Sequence, residues 1–143
     1  MKNSKWDIQA NTFNFDEDLK YGQLGEKRIR IMLESLVAGS FEVKADRYRN
    51  GNMVVEMRQN PRRSGKWIPS GLQVTKAQWW VYIYSMDGGF MIVSVDRLKR
   101  YIDEHKDTLE TRDLARKSDN PAWGYLLKPA QVMELMYSDR YDA

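Results

Sequence analysis

Two carboxylates and two cations stand close together in the stretch FEVKADRYRNGNMVVEMR, residues 41–58. Of the three acids and four cations in the stretch, the candidates for one site are the acids Asp46 and Glu56 and the cations Lys44 and Arg58. Two adjacent carboxylates repel each other unless a cation lies between them, and Mg²⁺ binds one or two carboxylates together with water and phosphate oxygens. The stretch therefore indicates either a metal site for phosphate chemistry or a solvated hairpin whose charges pair with one another.

The same stretch has the pattern of a β-hairpin. Residues 41–46 and 53–58 both alternate between apolar and polar side chains, and Asn50-Gly51-Asn52 lies between them. Asn-Gly between two alternating segments is a strong turn signal. If Asn50-Gly51 alone formed a two-residue turn, the two carboxylates would lie on opposite faces of the hairpin.

A three-residue loop sorts the side chains more cleanly. Asp46 then lies opposite Glu56, with Cβ atoms about 5 Å apart, and Lys44 lies opposite Arg58, while the apolar residues share the other face. Because a slip of one residue would move every side chain to the other face, we expect this register to be preferred. The four charged side chains are therefore predicted to share one face of the hairpin.

The remaining elements follow from hydrophobic periodicity and turn residues. We predict an irregular arm at residues 1–18 and a single domain at residues 19–143. Within the domain we expect helices at about 19–36, 97–105 and 129–137, and strands at about 41–46, 53–58, 79–85, 90–95 and 124–128. Glu26 would lie on the apolar face of the first helix or at its margin. This order predicts an α/β (α+β) fold with one twisted mixed sheet flanked by helices.

Composition excludes several kinds of site. The chain has no Cys and one His, His105, so disulfides, thiol nucleophiles and Cys-based zinc sites are excluded. Any metal would have oxygen ligands. The N-terminus lacks the apolar run of a signal peptide, and no stretch approaches the roughly 20 apolar residues of a membrane span. We expect a soluble, cytoplasmic protein.

Positive charge is concentrated in one part of the chain. Residues 42–76 contain eight Lys and Arg against three acids, although the net charge of the whole chain is only +3. Such a concentration favours an anionic partner such as nucleic acid. Trp67 in this region either anchors its own loop or stacks on an unpaired base. The candidate nucleic-acid contacts are Arg47, Arg49, Arg62, Arg63, Lys66 and Lys76.

The charged residues resemble the PD-(D/E)XK nuclease superfamily, in which an Asp on one strand and a Glu-X-Lys on the next bind Mg²⁺. The match is Asp46, then nine residues, then Glu56-Met57-Arg58, with Glu26 of GQLGEKRIR in the place of the first-helix Glu. The spacing is similar to that of phage endonuclease I, the Holliday-junction-resolving type. The chain departs from the family in having Arg58 where Lys is usual.

The resemblance implies a restriction-endonuclease-like core and an endonuclease that uses Mg²⁺ or Mn²⁺ to hydrolyse DNA, in phage DNA processing or recombination. Asp46, Glu56 and Glu26 would hold the metal. Lys44 would orient the water as a displaced catalytic lysine, and Arg58 would clamp a phosphate oxygen. A homodimer would suit two-strand cleavage, in the host cytoplasm if the protein is phage-encoded. The alternative is a catalytically inactive nucleic-acid-binding or protein-interaction domain on the same fold.

Overall fold

The computed structural model describes residues 14–46 and 48–142, and the chain divides into two compact units. The first unit ends at Ala38 and the second begins at Gly39. The helices are α1 (Phe15–Val37), α2 (Val95–His105) and α3 (Pro129–Tyr137). The strands are β1 (Phe41–Ala45), β2 (Met53–Gln59), β3 (Ile68–Pro69), β4 (Trp79–Ser85), β5 (Gly89–Ser94), β6 (Glu110–Leu114) and β7 (Ala122–Leu127). This mixture of helices and strands confirms the predicted α+β class.

The helix α1 makes up the described part of the first unit. Asn14 caps it, because its side-chain oxygen accepts the backbone N–H of Glu17 at 3.1 Å, and acids in the first turn suit the positive end of the helix dipole. Residues 15–18 are therefore helical rather than irregular. The rest of the predicted arm, residues 1–13, lies outside the described residues. In the described part of the chain, no helix has the length and apolar character needed to cross a membrane.

The second unit contains a three-stranded sheet in the order β1–β4–β5. β1 is parallel to β4, with Val43 opposite Val81, and β4 is antiparallel to β5. The β4–β5 hairpin confirms the prediction made from the aromatic run WWVYIYS and the Asp87-Gly88-Gly89 turn. Trp80 of β4 is fully buried and belongs to the core.

A four-stranded antiparallel sheet in the same unit has the order β3–β2–β7–β6. Met53 pairs with Leu127 near one end of it, and Gln59 pairs with Ala122 at the other. The strands thus form two sheets where one was predicted. In addition, β6 lies in a stretch for which the sequence predicts no strand.

The predicted β1–β2 hairpin is wrong. β1 pairs with β4 in one sheet, and β2 pairs with β3 and β7 in the other. Asp46 therefore does not pair with Glu56, nor Lys44 with Arg58. The physical reason is burial: β2 is a central strand with buried side chains and needs ladder partners on both edges, whereas β1 alternates between exposed and half-buried residues at a sheet edge.

The helices α2 and α3 lie close to their predicted positions and contribute to the core of the second unit. Leu98, Tyr101 and Ile102 form the buried stripe of α2, and α3 begins at Pro129, which suits the first position of a helix. The ring of His105 stacks on that of Tyr101, with centroids 4.2 Å apart. The single histidine is thus part of the packing at the end of α2.

Candidate functional site

Asp46, the first predicted metal ligand, directly follows β1. One of its carboxylate oxygens accepts the backbone N–H of Tyr48 and the other accepts that of Arg49, each at 2.9 Å. Asp commonly turns the chain in this way, by bonding to the backbone just after itself. The carboxylate therefore stabilises the loop that leads from β1 to β2. Arg47, a predicted nucleic-acid contact, lies outside the described residues.

Glu56 and Arg58 lie on β2, where the strand has a bulge. The register shifts between them, so that Glu56 pairs with Gly124 and Arg58 pairs with the adjacent Trp123. Residues that pair across two strands share a face of the sheet, and the adjacent residues Trp123 and Gly124 point to opposite faces. The bulge therefore places Glu56 and Arg58 on opposite faces of the sheet. The guanidinium carbon of Arg58 lies 4.4 Å from the ring centroid of Trp123. Arg58 is thus stacked on an aromatic ring and does not share a face with the carboxylate.

Lys44 pairs with an acid of its own strand. Its ammonium nitrogen lies 3.0 Å from a carboxylate oxygen of Glu42 and 5.8 Å from the ring centroid of Trp80. Burial raises the pKa of Glu42, but hydrogen bonds with Thr75 and Lys44 outweigh burial, so the pKa is lowered overall. Lys44 thus stabilises the ionised form of Glu42.

The described residues contain no group of metal ligands. Glu26 is an exposed residue of α1 in the first unit. In the second unit, Asp46 directly follows β1 of one sheet, whereas Glu56 lies on β2 of the other sheet. Among residues 14–46 and 48–142, no three Asp, Glu or His side chains lie together as the ligands of a metal ion would. Metal binding by these three residues, and catalysis by Asp46, Glu56, Lys44 and Arg58, stay predictions.

The Asp46 carboxylate influences two tyrosines of β4. Burial of the Tyr84 hydroxyl, the neighbouring Tyr82 and the charge of Asp46 together raise the pKa of Tyr84 to about 12. The Tyr84 hydroxyl has no hydrogen-bond partner among the described residues. Burial also raises the pKa of Tyr82, whose hydroxyl accepts the backbone N–H of Val54 at 3.3 Å. The hydrogen bond between Val54 and Tyr82 joins β4 of one sheet to β2 of the other.

Tyr84 is expected to ionise later than an ordinary tyrosine. A raised pKa means that the fold favours the neutral phenol, so its contribution to stability is complete below pH 10 and is lost as the pH rises from about 10 to about 12. Tyrosinate absorbance against pH measures this ionisation. Tyr84→Phe should remove one late step, and Asp46→Asn should lower the pKa of Tyr84; ionisation of every tyrosine in one step near pH 10 would contradict the assignment.

Two loops meet at the end of the four-stranded sheet where Gln59 pairs with Ala122. They are residues 60–67, between β2 and β3, and residues 115–121, between β6 and β7. The loops are joined by three hydrogen bonds: backbone N–H of Asn60 to the Pro121 carbonyl (2.7 Å), backbone N–H of Arg62 to Asn120 Oδ1 (3.0 Å), and the Arg63 guanidinium to the Arg116 carbonyl (2.5 Å).

The joined loops form a strongly basic surface, which we call the basic end. They carry five exposed cations and one acid, Asp119, a net charge of +4. The cations are Arg62, Arg63, Lys66, Arg116 and Lys117. Aromatic rings stand next to them: Trp67 is 43% exposed, and Trp123 carries the stacked guanidinium of Arg58. Closely spaced cations beside exposed rings can bind a phosphate backbone and stack on bases.

The predicted nucleic-acid contacts are divided between three places. Arg62, Arg63 and Lys66 belong to the basic end, whereas Arg49 lies in the loop before β2, at the opposite end of the four-stranded sheet, and Lys76 precedes β4. Sequence reasoning missed Arg116 and Lys117. Their only signal is an Arg-Lys pair close to a Ser-Asp-Asn-Pro turn, which indicates a basic loop but not the loop that it joins.

Comparisons of the chain with protein-family models, with curated proteins and with solved structures found no match. The resemblance to the PD-(D/E)XK nuclease superfamily therefore stays a prediction.

Proposed function

We propose that this chain binds nucleic acid and that its basic end contacts the phosphate backbone. The observation that carries the proposal is the joining of the two loops. Hydrogen bonds link residues 53 and 58 positions apart in sequence, and they bring together five exposed cations in loops that contain one acid, Asp119, while Asp113 of β6 pairs with Arg116. A surface that served only solubility would mix both signs of charge. A phosphate backbone is the ligand that several neighbouring Lys and Arg side chains bind together.

The cations of the basic end have donors available for phosphate. Within the described part of the chain, the charged groups of Arg62, Lys66 and Lys117 make no hydrogen bond or ion pair with protein, and Arg63 uses its guanidinium for one carbonyl. Contacts to phosphate fix the position of a strand but do not read its sequence. We therefore expect affinity with little sequence preference.

Binding of the wild-type protein to labelled oligonucleotides at several salt concentrations tests the proposal. For about five phosphate contacts, the logarithm of the affinity should fall linearly with the logarithm of the salt concentration, with a slope between about −3 and −5. Polyglutamate of equal total charge is the control, and it should bind more weakly because its carboxylates do not match the spacing of phosphates. No binding at low salt, salt-independent binding or equal affinity for polyglutamate would overturn the proposal.

DNA cleavage with Mg²⁺ or Mn²⁺ is a second candidate function, and one observation favours it. Asp46 lines a cleft of about 330 Å³ together with Arg112 and Asp113, so two carboxylates and a guanidinium face one space. Asp113 also pairs with Arg116 at 3.2 Å, and no third metal ligand joins the two acids among the described residues. The described residues therefore do not fit the three-carboxylate site that the resemblance implies, because two carboxylates, Asp46 and Asp113, line the cleft.

Incubation with Mg²⁺ or Mn²⁺ and a panel of single-stranded, duplex, flap and four-way DNA tests the second candidate. Cleavage that is lost in Asp46→Asn and kept in Asp119→Asn would support it, because Asp119 lies outside the cleft. No cleavage of any substrate, or equal cleavage by a folded Asp46→Asn protein, would contradict it. Nucleic-acid binding by the basic end does not depend on the outcome.

A further inference from the structure

A groove of about 620 Å³ lies in the second unit, between α2 and the four-stranded sheet. Its floor is apolar. Met57 and Tyr125 come from the sheet, Ile102 comes from α2, and Leu72 comes from the short helical turn Gly71–Gln73. A groove of this volume with an apolar floor is typical of a site for a small ligand or for one group of a larger ligand.

The rim of the groove is basic. Lys99, Arg100 and Lys106 of α2 line it together with one acid, Asp103. Asp103 pairs with Lys106 at 3.2 Å, whereas Lys99 and Arg100 are exposed and make no ion pair within the ranges that the structure describes. The groove therefore suits a ligand with a flat apolar body and a negative charge.

Aromatic side chains connect the groove with the basic end. The ring centroid of Tyr125, in the groove, lies 5.1 Å from that of Trp123, on which the guanidinium of Arg58 is stacked. Arg58 and Trp123 pair close to the end of the sheet from which the basic loops extend. A row of rings flanked by cations is a common way to hold a single strand, because every base has a flat face that can stack.

We propose that the groove binds an unpaired nucleotide of a strand held at the basic end. The base lies against Tyr125 and Ile102, and its phosphate is bound by Lys99 and Arg100. This inference rests on the proposed function and deepens it, because it makes single-stranded nucleic acid the preferred ligand. A duplex presents its phosphates to the basic end but keeps its bases stacked inside, so it cannot fill the groove.

The test compares four ligands of the full chain: a single strand, a duplex of the same sequence, an abasic strand with the same number of phosphates, and a mononucleotide. The single strand should bind about 10-fold more tightly than the duplex or the abasic strand, and the mononucleotide should bind most weakly because it misses the basic end. If the single strand bound no more tightly than the duplex or the abasic strand, the binding of a base in the groove would be contradicted. Phosphate binding by the basic end would not be contradicted by that result. A mononucleotide that binds as tightly as the strand would also overturn it. If none of the four ligands bound, the proposed function would be contradicted as well.

Replacement of Lys99 and Arg100 with Gln locates the effect. Both side chains are exposed on α2, so the fold should be retained. Affinity for the single strand should fall about 10-fold, and the preference over the duplex should disappear. Lys128→Gln combined with Arg140→Gln removes the same charge outside the groove and should leave the preference unchanged. A preference kept by the first variant, or lost equally in the control, would contradict the inference.

The NMR chemical shift of the Met57 methyl group gives a second readout. If Lys99 and Arg100 only attracted phosphate and no base entered the groove, this chemical shift would not change. Met57 lies on the floor of the groove, and Met57→Leu assigns its signal among the eight methionines. The single strand should shift this resonance, and the abasic strand should not. An unchanged resonance at saturating single strand would overturn the placement of the base.

Discussion

Replacing Arg62, Lys66 and Lys117 with Gln is expected to weaken nucleic-acid binding about 100-fold at 0.1 M salt. Each phosphate contact releases the equivalent of 0.7 to 0.9 of a counterion, so the loss of three contacts lowers the affinity by roughly two orders of magnitude and reduces the salt slope by about 2 to 3. The three side chains come from both joined loops, and their charged groups make no hydrogen bond or ion pair with protein in the described part of the chain. Their replacement should therefore leave the fold intact.

A matched variant separates the basic end from net charge. Arg112→Gln, Lys128→Gln and Arg140→Gln together remove the same charge from other surfaces, at the cost of two exposed ion pairs, with Glu110 and Glu104, which contribute little to stability. This control should bind within about 3-fold of the wild type, because more distant exposed charges are screened by salt. Equal weakening in both variants would show that only net charge matters and would contradict a localised phosphate site.

Gly124→Ala is expected to destabilise the second unit by about 3 kcal/mol or more. Gly124 lies on β7, and a Cβ placed there would contact the Val55 carbonyl oxygen, with the carbonyl carbon at 2.8 Å and the Glu56 Cα at 3.0 Å. These are backbone atoms of β2, the neighbouring central strand, so they cannot move aside as the end of a flexible side chain would. The two strands must separate locally, at the expense of ladder hydrogen bonds and of the core beneath them.

Chemical denaturation of the Ala variant measures this cost. Gly22→Ala is the matched control, because Gly22 lies within α1 and, among the described residues, a Cβ there meets no atom within 4 Å beyond the adjoining backbone of its own helix. Ala in a helix interior is favoured over Gly by about 1 kcal/mol, so the control should be unchanged or more stable. A Gly124→Ala protein as stable as the wild type would show that β2 and β7 do not approach each other as closely as described.

The parts of the fold that sequence reasoning predicted depend on neighbours in the chain. The β4–β5 hairpin is confirmed because a short Asp87-Gly88-Gly89 turn joins two segments of β-branched and aromatic residues, and its partner strands are consecutive. The helix α3 follows from Pro129 and the apolar spacing after it. In both cases the residues that indicate the element also indicate a further feature: the partner strand in the hairpin and the first residue in the helix.

The β1–β2 pairing failed because alternation describes a strand but not its partner. Residues 41–46 and 53–58 do form extended segments, yet each pairs with a strand distant in sequence. The chain does bend at Asn50-Gly51, where Gly51 has φ +79°. This bend leads from one sheet to the other and does not join two paired strands. The turn residues therefore predict that the chain bends, but they do not distinguish a hairpin from a connection between two sheets.

Only one of the two loops of the basic end could be predicted from the sequence, again because the pairing of the strands could not. Arg62, Arg63 and Lys66 stand in an obvious basic loop, but the loop that carries Arg116 and Lys117 follows β6, whose sequence ETRDL has no apolar alternation. β6 is an exposed edge strand that exists because β7 offers it hydrogen bonds. Without β6, nothing in the sequence indicates that the second loop meets the first.

Backbone amide resonances of the wild-type protein, recorded during titration with a short oligonucleotide, show where the strand binds. If the joined loops form one phosphate-binding surface, the largest shifts fall in both of them, residues 60–67 and 115–121, and added salt reverses the shifts of both loops together. Shifts confined to the Asp46 cleft, or to one loop without the other, would contradict the claim that the joined loops form one phosphate-binding surface.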